Sequence, residues 1–152
     1  MEIALVPPEG QPEKVFISAK NNEGDELLPG EVVEFSATTT DADQGLAVEL
    51  VDVAVNATTG IAGQVAGVVD TTSATGESVR LQVYGPDLVR ASASLALGRM
   101  VVASSINATN IGHVTEAIQT TVTSSEYSGA VVGWTLENGP NATNSTVQLK
   151  LL

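Results

Sequence analysis

In the middle of the chain Val79, Leu81 and Val83 alternate with Arg80, Gln82 and Tyr84, the period-two signature of a strand with one buried and one wet face. A shorter apolar run at 64–69 precedes it, and the polar stretch 70–78, with Gly76, joins the two as a hairpin with a long loop. The same phrase returns near the C-terminus, where 129–134 leads through the polar stretch 137–145 into Val147, Leu149 and Leu151. In the first strands, Gly63, Val65, Gly67 and Val68 align with Gly129, Val131, Gly133 and Trp134. In the second strands, Ser78, Val79, Arg80 and Leu81 align with Thr146, Val147, Gln148 and Leu149. A glycine pair inside a strand predicts bends or bulges where a sheet curls. A structural repeat and a chance recurrence of short Gly and Val patterns both produce such an alignment.

Other segments follow the same grammar. Val15, Phe16 and Ile17 form a short strand-like centre, 31–36 reads as a strand after the turn Leu28-Pro29-Gly30, and 45–55 reads as another on its β-branched content. Tyr84-Gly85-Pro86-Asp87 predicts a turn, 88–91 a short strand, and 92–97 a short helical turn on its Ala and Leu. Strands are expected again at 100–103, 113–117 and 118–125. Pro7, Pro8, Pro12 and Pro29 make residues 1–29 an extended N-terminal arm or a loosely docked tail, leaving 30–152 as the folded domain. The expected class is all-β, a small β-barrel or coiled β-sandwich carrying that arm.

Composition narrows the picture. Of 152 residues, 43% are hydrophobic but only 3% are aromatic, so the core must be built from Val, Ala and Leu. The formal net charge of −12 opposes binding to nucleic acid and to anionic membrane, and no apolar run is long enough to span a bilayer. There is no cysteine, hence no disulfide and no thiolate metal site. The N-terminus lacks a basic segment followed by a long apolar one, so synthesis in a cytoplasm is expected. The sequons at Asn56, Asn107, Asn141 and Asn144 then mean only Asn- and Thr-rich loops.

Reactive chemistry is sparse. His113 is the single histidine, which excludes a two-histidine metal site, and no Gly-x-Ser-x-Gly elbow or phosphate-binding glycine loop followed by Lys occurs. Asp41-Ala-Asp43-Gln-Gly45 resembles the start of a calcium loop but lacks the later acidic ligand, and Glu49, Asp52 and Glu116 have no spacing suited to paired acid–base work. No catalytic residue, cofactor or metal is expected, and an enzyme ranks last. The aromatics Tyr84, Tyr127 and Trp134 are candidates for an interface, although a lone Trp in a core so poor in large side chains is read first as its anchor.

The arm, the strand Val79-Arg80-Leu81-Gln82-Val83-Tyr84-Gly85, the segment Gly98-Arg99-Met100-Val101-Val102 and the closing hairpin from Gly129 to Leu152 together resemble small phage head-decoration, or cement, proteins of the broad lambda type. The resemblance covers roughly 30–152. It implies a structural virion protein on the outer surface of a phage capsid, bound to the major capsid protein, assembled as a homo-oligomer with a trimer favoured, and stabilising the expanded head by cementing capsomers. Val15, Phe16 and Ile17 are then the residues that add a strand to the capsid protein. A β-rich tail fibre, spike or baseplate module, or a non-catalytic surface-binding module, are the alternatives.

Overall fold

The computed structural model describes residues 13–36, 47–51, 65–104, 111–117, 131–139 and 144–151. Among these there is no helix. The strands are β1 (Val15–Asn21), β2 (Val32–Phe35), β3 (Ala47–Leu50), β4 (Val65–Val69), β5 (Ser78–Arg90), β6 (Met100–Ser104), β7 (His113–Glu116), β8 (Val131–Thr135) and β9 (Asn144–Lys150). They form one sheet in the order β1-β3-β2-β4-β5-β9-β8-β6-β7, and β1 also pairs with β5. That extra pairing closes β1, β3, β2, β4 and β5 into a five-stranded barrel, in agreement with the all-β, barrel-forming expectation. From β5 the sheet continues through β9, β8 and β6 to β7, and the isolated parallel bridge Ala91↔Val114 brings β7 back to the end of β5.

The long strand β5 is shared. Its first half pairs with β1 and β4 and its second half, Tyr84 to Arg90, pairs with β9. Tyr84-Gly85-Pro86-Asp87 is therefore not the turn its composition suggests but the middle of a thirteen-residue strand. Gly85 takes a positive φ of 93°, which re-aims the strand without reversing it. A Cβ at this position would lie 2.3 Å from the Glu13 carbonyl oxygen, so only glycine admits the approach of β1. Pro86 is tolerated because β1 pairs no further along β5 than Tyr84. The expected helical turn at 92–97 is likewise absent: Leu95 forms an antiparallel bridge with Gly139 and is buried.

Hydrogen bonding reveals an internal duplication. Leu27 bridges Ser73 as Leu95 bridges Gly139, and Asn21 pairs in parallel with Val48 as Ala91 does with Val114. The Gly30 N–H donates to Val69 O at 2.9 Å and that of Gly98 to Thr135 O at 3.0 Å. The Asp70 N–H donates to Arg80 O at 3.0 Å and that of Leu136 to Thr146 O at 2.9 Å. The β2–β4 register shifts between Val33 and Glu34, opposite Val65 and Gly67; the β6–β8 register shifts between Val101 and Val102, opposite Val131 and Gly133. The recurring glycine strand thus carries the same bulge in both halves. The alignment of the second strands needs one correction: Arg80, not Ser78, matches Thr146, since Val69↔Leu81 corresponds to Thr135↔Val147. A two-residue offset leaves the alternation of faces unchanged, so the apolar pattern could not expose it.

Two apolar clusters fill the molecule. Ala19, Leu27, Val33, Val48, Ala66, Val69, Val79 and Leu81 line the first barrel, with Ile17 and Leu50 against them. The other cluster combines second-half residues, among them Val89, Leu95, Val101, Val114, Val147 and Leu149, with Val32, Val51 and Val68 from the outer face of the first. Strands β2 and β4 are therefore buried on both faces, which explains why they read as nearly continuous apolar runs. Arg90 spans the seam: its N–H donates to Gly30 O at 2.8 Å and its Nη1 meets Glu31 Oε1 at 3.0 Å.

Of the segment expected to be an arm, residues 13–29 are part of this barrel, with β1 paired to β5 and Leu27 fully buried. The strand at 118–125, Tyr127, the Asp41–Gly45 turn and residues 52–55 lie outside the described residues.

Candidate docking face

Because side chains alternate across a strand, β5, β9, β8 and β6 expose one face to solvent over the second cluster. The register puts Met100 opposite Trp134, Trp134 opposite Gln148, and Gln148 opposite Pro86, a continuous row across four strands. Leu88 pairs with Thr146 on one side of that row and Tyr84 with Lys150 on the other, and Leu136 follows Trp134 at the strand end. Met100, Trp134, Leu136, Leu88 and Tyr84 are all exposed large hydrophobic residues. No carboxylate stands in the row. Glu137 sits at its rim, where its Oε1 accepts the Thr146 N–H at 2.9 Å and the Thr146 hydroxyl at 2.6 Å; those hydrogen bonds hold its pKa below the usual carboxylate value.

Trp134 is therefore on the outside, at 41% exposure, rather than anchoring the core. The core needs no aromatic because small aliphatic side chains suffice to fill barrels this narrow. Of the other candidate residues, Val15 stands opposite Tyr84 across β1 and β5, and Ile17 packs against the first cluster. Phe16 faces outward with the Arg80 guanidinium 4.8 Å from its ring centroid, and Arg80 in turn binds Asp70 through Nε at 2.7 Å. Phe16 and Trp134 thus sit on separate halves. Sequence reasoning missed Met100, Leu88 and Leu136. Met100 was hidden in an apolar run, and Leu88 followed what looked like a turn; the available signal was the alternation of Met100 with Val101 and of Leu88 with Val89.

Among the described residues no group of three or more His, Asp or Glu could hold a metal. His113 lies on β7, with its pKa pushed down first by burial and then by the Arg90 charge, and its Nδ1 has no partner. Asp87 on β5 accepts the Leu88 N–H on Oδ1 at 2.9 Å, while Oδ2 is buried without a partner. Burial raises its pKa more than that hydrogen bond lowers it. The folded state then holds a proton more readily than the unfolded one, so this group's contribution to stability falls as pH rises from the ordinary aspartate value of about 3.8 through the raised folded value. Asp87→Asn is expected to raise Tm by about 2–4 °C at neutral pH, with the gap closing below that window in thermal melts.

No protein-family model matches the chain, and no curated protein sequence matches it. The fold is a duplicated, barrel-forming all-β sheet, and a solved structure shares it. The head fiber gp8.5 N base in bacteriophage phi29 superposes with a TM-score of 0.58 at 10% sequence identity, covering 91% of this chain and 96% of that one. At this identity the likeness is one of fold.

Proposed function

We propose that this chain is a structural virion protein that sits on the outer surface of a phage head as a homotrimer, bound to the major capsid protein and stabilising the expanded shell. The observation that carries the reading is the shared fold with a phage head fiber base over nearly the whole of both chains. It converges with the resemblance of the sequence to head-decoration proteins. The exposed face supplies what such a role needs, large apolar side chains on a rigid sheet. Strand addition by Val15, Phe16 and Ile17 would use the edge of β1 turned away from β5, which β3 covers at Lys20 and Asn21. Removing residues 1–29 is not a clean test, because it takes β1 out of the barrel. A base for a fibre is the second reading, favoured by the same structural neighbour.

Sedimentation with purified phage heads tests the proposal. The protein is expected to pellet with expanded heads and not with unexpanded ones, and decorated heads are expected to survive heating or chelation that opens bare ones. Failure to pellet with either form would exclude a head-binding role.

A further inference from the structure

The isolated bridge that recurs in the two halves is alike in backbone and different in chemistry. It joins Leu27 to Ser73 in the first half and Leu95 to Gly139 in the second, and both leucines are buried. Thr72 precedes Ser73, whereas Asn138 precedes Gly139, and Asn138 is the only asparagine in the sequence followed by glycine. A side-chain amide next to a backbone nitrogen that no Cβ shields is the pair from which a five-membered cyclic imide forms. Asn138 is exposed, while Gly139 is buried. The Leu97 N–H donates to Asn138 Oδ1 at 2.9 Å, polarising the side-chain carbonyl at the atom where negative charge develops when a nucleophile adds. The Gly139 N–H, whose nitrogen would be that nucleophile, is donated to Leu95 O at 2.8 Å.

We propose that Asn138 is a self-modification site, converted to aspartate and isoaspartate through a cyclic imide, and that the Leu95↔Gly139 bridge is the brake on this reaction. Once the bridge opens, the Gly139 nitrogen bonds to Asn138 Cγ, the Cγ–Nδ2 bond breaks, and the amide leaves as ammonia carrying the proton lost from the Gly139 nitrogen. Water then opens the imide. Addition at Cγ gives aspartate, and addition at the Asn138 backbone carbonyl carbon gives isoaspartate, whose main chain runs through Cβ and Cγ. One water is consumed and one ammonia released, with no oxidant or reductant. The brake is of limited strength because the bridge lies outside any strand and consists of the Gly139 bond to Leu95 O and its reciprocal, Leu95 N–H to Gly139 O at 3.3 Å. The two products differ in what they do to the fold. Aspartate keeps the oxygen that accepts the Leu97 N–H. Isoaspartate adds a backbone carbon directly before Gly139, where there is no slack: even a Cβ on Gly139 would run into the buried Ser145 hydroxyl. The bridge is then lost, and with it the tether of Leu95, a member of the second apolar cluster. The first half, with Thr72 at the matching place, has no such site. The inference is independent of the proposed function.

Timed incubation of the full chain at mildly alkaline pH, folded and in urea, is the test, with peptide mass spectrometry reading the change from amide to acid at every asparagine and electron-based fragmentation separating aspartate from isoaspartate. In the folded chain Asn138 is expected to convert ahead of every other asparagine and to give both products. In urea, where the bridge is gone, conversion at Asn138 is expected to run at least about tenfold faster. Asn138→Gln, whose imide would need a larger and slower-forming ring, is expected to stay intact. An unchanged Asn138 in the folded chain after long incubation, or equal rates folded and unfolded, overturns the proposal. Thermal melts read the consequence for the fold: Asn138→Asp is expected to melt with the parent, and the isoaspartate form, separated by chromatography, to melt lower. An isoaspartate form that melts with the parent would overturn the loss of the bridge.

Discussion

Replacing Gly85 by alanine is expected to destabilise the protein by about 2–4 kcal/mol, seen as a lower midpoint in denaturant with the slope unchanged. Two costs add. A side chain at φ 93° occupies a backbone region that favours glycine, and the new Cβ would meet the Glu13 carbonyl oxygen at 2.3 Å. The obstacle is backbone, so relief requires β1 to move off β5, and the closure of the first barrel depends on that pairing. Gly24, where an added Cβ meets nothing within 4 Å, is the matched control, and Gly24→Ala is expected to change stability by less than about 0.5 kcal/mol. Equal effects at the two positions would mean that β5 is not held at Gly85 by β1.

Leu149→Ala is expected to cost about 3–5 kcal/mol, through lost burial and the cavity left behind. Leu149 is completely buried in β9, opposite Gly85 and Gly133, and a Cβ at Gly133 would lie only 2.0 Å from the Gln148 carbonyl oxygen. Strands packed that closely cannot collapse further to refill the space. Leu81→Ala makes the comparable cavity in the first barrel, where Leu81 is also fully buried. Both variants are expected to unfold in a single transition, because β5 belongs to both rings and Val32, Val51 and Val68 extend the second cluster into the first half. Two separate transitions, each moved by only one of the substitutions, would show that the halves fold independently.

Much of the sheet was legible. Strands at 64–69, 31–36, 100–103 and 113–117 and the two antiparallel hairpins follow from alternation and polar joins, and they occur at β4, β2, β6, β7, β4–β5 and β8–β9. What misled was punctuation. Gly85-Pro86 is turn chemistry by local rules, yet here the glycine lets one strand pass from barrel to barrel and the proline faces no partner that needs its N–H. Trp134 misled for a related reason: composition made it the obvious core residue, but strand parity assigns it outward, and parity is set by the bulge opposite Val101 and Val102.

The docking face illustrates the division most clearly. Alternation alone determined that Met100, Trp134, Leu88 and Tyr84 share no face with Val101, Thr135, Val89 and Val83, since that depends only on the two-residue repeat of an extended backbone. Which of the two faces would be wet was decided by the tertiary structure. Val32 and Val68 hold matching places to Met100 and Trp134 in the duplication, but the second half packs over the first pair and nothing among the described residues covers the other. Burial is a property of what lies across a surface, and the register, the shared strand β5 and the closing bridge Ala91↔Val114 that bring those surfaces together join residues far apart along the chain.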